Sequence, residues 1–105
     1  NNVAPANGIY GTSKSALSTY MKYAALELAG KGIRCNAVQP GRINTPLISN
    51  RLLSEEDVTK DIEQYPMKRY GKPEEVAHAI IYLLSDASAW VTGTNLVIDG
   101  GRSLK

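Results

Sequence analysis

The stretch "GIRCNAVQPG", residues 32–41, decides the fold. Residues 33–38 are a short run rich in branched side chains, bounded by Gly32 on one side and Pro40-Gly41 on the other, the pattern of a buried strand. Before it, over residues 10–29, Ala16, Leu17, Tyr20, Met21, Ala24, Ala25 and Leu28 recur at intervals of three and four. That spacing predicts an amphipathic helix, with Gly30 as its C-terminal cap. Further on, Pro73 followed by Glu74 and Glu75 opens a second helix, with Val76, Ala77, Ile80, Ile81 and Leu84 expected to face inward and an end near Asp86. The run "TNLVIDGG" then reads as a second short strand closed by a glycine pair. Strand, crossover containing a helix, strand is a βαβ unit, so the two strands should be parallel with a right-handed connection.

Between the first strand and the second helix, "RINTPLISNRLLSEEDVTKDIEQYPMKRYGK" (residues 42–72) is mixed in composition. Its Ser54-x-x-Asp57 should open a short helix through capping chemistry. Residues 47–70 have the make-up of an active-site lid rather than of a linker. No internal repeat or low-complexity segment interrupts the chain. A two-stranded parallel sheet is a poor structure on its own, because parallel sheets are normally covered on both faces. The opening "NNVAPANG" has no initiator methionine and reads as a loop entering a helix. The expectation is therefore that residues 1–105 are part of a longer domain.

Composition narrows the function. At 105 residues the chain is at most one domain, and 43% hydrophobic with 21% charged residues is an ordinary globular balance. The net charge is +2 and the twelve basic residues are scattered, Lys68 and Arg69 being the closest pair, so nucleic acid is not an expected partner. A single cysteine excludes an intrachain disulfide, and the first thirty residues carry no basic-then-apolar signal pattern, which points to the cytoplasm. The longest purely apolar stretch, residues 79–84, falls far short of the roughly 20 residues of a membrane helix. With one histidine and one cysteine, no metal cluster is expected.

Some residues could carry chemistry. Tyr10 and Lys14 lie one helical turn apart and share a face, so their side chains can converge on one ligand, or they are a helix-start aromatic and a solvated lysine. Pro40 and Gly41 stand at the carboxyl end of a strand, where open α/β sheets hold their ligands, or they make a simple turn. Cys35 reads as a small buried hydrophobe and His78 as a surface residue. Tyr65, Tyr70, Met67 and Leu52 could line a substrate pocket or equally be ordinary packing.

Four ordered blocks carry a resemblance: "YGTSK" opening a long helix, "GIRCNAVQPGRINTP" as strand and loop, "GKPEEVAHAIIYLLSD" as a helix, and "WVTGTNLVIDGG" as the last strand. Together they resemble the C-terminal half of a short-chain dehydrogenase/reductase, and the resemblance covers nearly the whole chain. It implies an α/β fold, the C-terminal part of a Rossmann-type doubly wound parallel sheet. It also implies hydride transfer between NAD or NADP and a small-molecule carbonyl/secondary-alcohol substrate. By that resemblance Tyr10 is the catalytic acid/base and Lys14 its activator, both also touching the cofactor, Lys14 through the nicotinamide ribose. Pro40, Gly41, Ile43 and Thr45 would lie along the nicotinamide, with the Ile43 backbone and the Thr45 hydroxyl bonding its carboxamide. The family's glycine-rich phosphate loop, catalytic serine and relay asparagine have no counterpart in residues 1–105, so this segment alone should be inactive. The family pattern further implies a homotetramer, with a homodimer next. The rival reading is a truncated, non-catalytic remnant that serves as an association module.

Overall fold

The computed structural model describes residues 5–44 and 54–104, with side chains described from Ser15 onward. Its elements in chain order are helix α1 (Pro5–Ala29), strand β1 (Ala37–Pro40), helix α2 (Glu55–Glu63), helix α3 (Pro73–Leu84), a 3-10 turn (Asp86–Ser88), strand β2 (Asn95–Ile98) and a second 3-10 turn (Arg102–Leu104). The strands pair in one two-stranded sheet. The Ala37 N–H donates to the Thr94 carbonyl (3.0 Å) and the Gly41 N–H to the Ile98 carbonyl (2.9 Å). Both bonds keep one register with the two chains running in the same direction, which is the parallel pairing the βαβ reading requires. The chain divides into two compact units, residues 1–37 with 90–95 and residues 38–89 with 96–105.

In the first unit α1 begins at Pro5, ahead of the expected residue 10, and ends at Ala29. Its cap is not Gly30. The Gly32 N–H donates to the Ala29 carbonyl (3.0 Å) and the Ile33 N–H to the Leu28 carbonyl (3.2 Å), with Gly32 at φ 74°. This is a Schellman termination, and the residue that must adopt a left-handed backbone is therefore Gly32. Met21 and Ala25 are buried, whereas Leu17, Tyr20, Tyr23 and Leu26 are exposed, so only part of the expected apolar stripe is covered.

The strand expected over residues 33–38 is displaced to Ala37–Pro40. Residues 34–36 instead bond irregularly to the loop before β2. The Gly93 N–H reaches the Cys35 carbonyl (2.8 Å), the Cys35 N–H reaches Thr92 Oγ1 (3.1 Å), and Asn36 bonds both the Val91 carbonyl and the Thr94 N–H at 3.0 Å. A side-chain amide and a hydroxyl take places that backbone groups would hold in a regular ladder, and Gly93 at φ 73° turns the partner loop away from strand geometry. Pro40 is tolerated as the last strand residue because alternate N–H groups face alternate edges. The Gly41 N–H points at β2, so the proline's missing N–H falls on the other edge.

In the second unit α2 starts as its sequence predicts, with Ser54 Oγ accepting the Asp57 N–H (3.1 Å). Helix α3 starts with Pro73 at its first position, and the Glu75 carboxylate takes the Lys72 N–H (2.8 Å). The expected inward face is corrected here. Leu83 is the buried residue of α3, while Ile80, Ile81 and Leu84 are exposed. The helix is apolar on more than one side, so periodicity alone could not choose the face that this unit buries. Ser88, almost fully buried, donates to the Ser85 carbonyl (3.1 Å) and closes the turn after α3.

Candidate functional site

The site is built from the loop that leaves β1. Gly41 lies where an added Cβ would stand 2.9 Å from the Asp99 Cβ, 3.1 Å from the Asp99 Cα and 3.2 Å from the Tyr65 ring, so only glycine lets the loop pass between them. Residues 42–44 then run in extended form beside Gly71. The Gly71 N–H donates to the Arg42 carbonyl (3.0 Å), the Asn44 N–H donates to the Gly71 carbonyl (2.8 Å), and Ile43 and Gly71 form a parallel bridge. One further rung comes from a side chain: the Arg42 N–H donates to the Tyr65 phenol oxygen (3.1 Å).

This ladder fixes the direction of Ile43. In an extended segment the N–H and C=O of one residue share an edge, and successive residues alternate. Arg42 and Asn44 use the edge toward Gly71, so the N–H and C=O of Ile43 lie on the opposite edge. Among the described residues neither has a hydrogen-bond partner. A donor and an acceptor side by side on one edge match a primary carboxamide, which offers one C=O and one NH2.

Behind the loop stands a polar and aromatic cluster. Arg42 Nη1 donates to Asp61 Oδ2 (2.6 Å), and the Tyr70 hydroxyl donates to the same oxygen (2.6 Å). The Tyr65 and Tyr70 rings meet edge to face, with centroids 6.0 Å apart. Burial together with the bond to Asp61 raises the Tyr70 phenol above its ordinary value, outweighing the opposite pull of Arg42, so Tyr70 is a neutral donor. The Arg42 guanidinium is raised as well, chiefly through its bond to Tyr70, with burial opposing it and the charge of Asp61 adding a smaller lift.

A second pair props the far side. Arg69 grips Glu75 with two bonds, 2.7 and 2.8 Å, and these, with the Lys72 N–H, lower the Glu75 carboxyl to about 2. Burial pushes the Asp99 carboxyl upward. Bonds from the Ser103 hydroxyl and N–H and from the Gly101 and Arg102 N–H groups outweigh that and hold it below its usual value. A cleft of about 230 Å³ lies among these elements, lined by Ile43, Tyr65, Met67, Arg69, Asp99 and their neighbours. That volume is below the range of about 300–1,000 Å³ typical of small-molecule pockets, so it would take part of a ligand.

Tyr10 and Lys14 both fall within α1, one turn apart. Pro40 is the exposed last residue of β1, and Gly41 and Ile43 are partly buried in the loop that follows. Thr45 and Leu52, and residues 47–53 of the lid, lie outside the described residues. Tyr65 and Met67 line the cleft, Tyr70 packs against Tyr65, and His78 is exposed. Cys35 is half-buried. Sequence reasoning missed Asp61, Asp99 and the Arg69–Glu75 pair as parts of the site, because each acts through a partner that no local spacing announces. Among the described residues no group of three or more His, Cys, Asp and Glu could hold a metal, and no helix is long and apolar enough to cross a membrane.

A family model described as enoyl-(acyl carrier protein) reductase matches residues 1–103. The chain is 45% identical over 101 residues to glucose 1-dehydrogenase 2 of Bacillus subtilis, covering 95% of this chain and 38% of that protein. A short-chain type dehydrogenase/reductase from Mycobacterium ulcerans superposes with a TM-score of 0.83 at 38% identity, over 91% of this chain and 35% of that one. A 4-hydroxyisoleucine dehydrogenase mutant complexed with NADH and succinate gives a TM-score of 0.83 at 32% identity, over 91% of this chain and 40% of that one. The chain thus spans less than half the length of these relatives.

Proposed function

Because the chain belongs to the short-chain dehydrogenase/reductase family, we propose that the complete protein is an NAD- or NADP-dependent oxidoreductase that interconverts a carbonyl compound and its secondary alcohol. Residues 1–105 are the C-terminal portion of its single Rossmann-type domain, and the preceding portion supplies the phosphate loop and the catalytic serine. The protein is cytoplasmic and assembles as a homotetramer, or else a homodimer.

The observation that carries this reading is the edge of Ile43 that has no partner among the described residues. It faces away from Gly71 and offers a carboxamide one donor and one acceptor. Pro40 and Gly41 bring the chain to that edge, and by the family resemblance Thr45 bonds the same carboxamide. Reduced nicotinamide, when bound, supplies the hydride. Tyr10 holds the proton at its phenol oxygen and gives it to the carbonyl oxygen, or takes it from the alcohol in the reverse direction. A free phenol has a pKa near ~10, and the Lys14 ammonium one helical turn away favours the phenolate and so brings the acid into a useful range. Lys14 also bonds the nicotinamide ribose, which ties cofactor binding to acid strength.

The test is Lys14→Met in the complete protein, with turnover followed through reduced-nicotinamide absorbance over a panel of ketones. Turnover should fall and the cofactor KM should rise together, since one residue serves both. A variant with either quantity at the wild-type value contradicts the dual role. The association-module reading draws on the exposed Leu17, Tyr20, Tyr23 and Leu26 of α1. An intact mass equal to this chain alone would favour it over the enzyme.

A further inference from the structure

We propose that Tyr65 is a positioning residue for the nicotinamide: by accepting the Arg42 amide proton it fixes the course of residues 42–44, and with it the direction in which Ile43 presents its N–H and C=O. The inference rests on the reading of residues 40–45 as the nicotinamide loop. Of the three hydrogen bonds that hold one edge of that loop, two come from the Gly71 backbone and the first from the Tyr65 phenol, at 3.1 Å. The phenol oxygen stands where a ladder would offer a carbonyl.

The ring is held so that it can do this. Tyr65 is 8% exposed. Its Cε1 lies 3.2 Å from where a Cβ on Gly41 would be, its Cδ1 3.8 Å from the same point on Gly100, and its other neighbour is the Tyr70 ring at 89°. The next residues bind the turn after β2, the Met67 N–H donating to the Gly100 carbonyl (3.1 Å). Asp61 meanwhile takes the Arg42 guanidinium, so Arg42 is anchored through both its backbone and its side chain. Without the Tyr65 oxygen, the loop between Gly41 and the Gly71 rungs loses its first support, and the peptide planes that aim Ile43 are free to rotate.

If Tyr65 only filled space, phenylalanine would serve as well. Tyr65→Phe in the complete protein keeps the ring and removes the acceptor. The affinity for NADH or NADPH, read by dihydronicotinamide fluorescence, should weaken about 3- to 10-fold, the range set by one lost hydrogen bond. Affinity for ADP-ribose or its 2′-phosphate, which lack nicotinamide, should be unchanged. Binding of the reduced dinucleotide as tight as wild type overturns the inference, and so does an equal loss for both ligands. Wild-type protein that binds neither NADH nor NADPH would refute the oxidoreductase reading and the inference with it. Wild-type binding that Tyr65→Phe leaves intact removes the inference alone.

Discussion

Gly41→Ala and Gly71→Ala add the same methyl group to the same loop region, yet they should differ in cost. At Gly41 the new Cβ would meet the Asp99 Cβ at 2.9 Å, the Asp99 Cα at 3.1 Å and the Tyr65 ring at 3.2 Å. Carbon atoms rest about 3.5–4.0 Å apart, so something must retreat by roughly 0.5 Å. The obstacles are the backbone of a residue beside β2 and a ring packed on both sides, and overpacking of this kind costs about 1–3 kcal/mol. At Gly71 the new Cβ would meet, among the described residues, the Ile43 Cδ1 at 2.8 Å, the far end of a side chain that can turn, with the Arg42 carbonyl at a comfortable 3.9 Å. Neither glycine has a positive φ, so each substitution also gains about 0.4–1 kcal/mol by restricting the unfolded chain. With the middle of each range, about 2 less about 0.7, net destabilisation is about 1–2 kcal/mol for Gly41→Ala and close to zero for Gly71→Ala. In a complete protein of 150–250 residues each kcal/mol moves Tm by about 2–4 °C. Scanning calorimetry should thus place Gly41→Ala about 2–8 °C below wild type and Gly71→Ala within about 2 °C of it. A Gly71→Ala variant that melts at or below Gly41→Ala would refute the packing described around Asp99 and Tyr65.

Glu75 titrates at about 2, below its ordinary 4.5, because of its bonds to Arg69 and then to the Lys72 N–H. A depressed carboxylate contributes stability that is complete above the unfolded pKa and is lost as pH falls through the folded one. Urea midpoints should therefore show wild type losing its advantage over Glu75→Gln between about pH 4.5 and 2, and a difference that does not change with pH would contradict the pairing. In the proposed assembly the complete protein associates with symmetric copies of itself. Light scattering of the complete protein should give the mass of four protomers, or of two, and the mass of one would reject that assembly.

Much of the fold was legible because local chemistry specifies it. Ser54 with Asp57 marked the start of α2, Pro73 with Glu74 and Glu75 marked α3, and the glycine pair marked the end of β2. What escaped depended on partners. The run over residues 33–38 is strand-like in composition, but Asn36 and Thr92 provide competing bonds and the ladder starts only at Ala37. In α3 apolar residues surround the helix, so the burial of Leu83 rather than Ile81 or Leu84 was decided by packing. For the site, the spacing of Tyr10 and Lys14 placed them one turn apart on a helix, which α1 bears out in its backbone. Pro40-Gly41 reads as a turn, and the reason for the glycine is the approach of Asp99, some sixty residues later in the chain. The grip of Tyr65 on Arg42 likewise joins side chain to backbone across a long loop, and no periodicity encodes it.

The central claim is that Tyr10 moves the proton in nicotinamide-dependent carbonyl chemistry. It is tested most directly by the turnover of Tyr10→Phe in the complete protein, at saturating NADH or NADPH and with a ketone that the wild type reduces. Removing a positioned general acid costs about 10²- to 10⁴-fold in rate, so the account predicts a fall of at least about a hundredfold. Wild-type turnover in the Tyr10→Phe variant would contradict it.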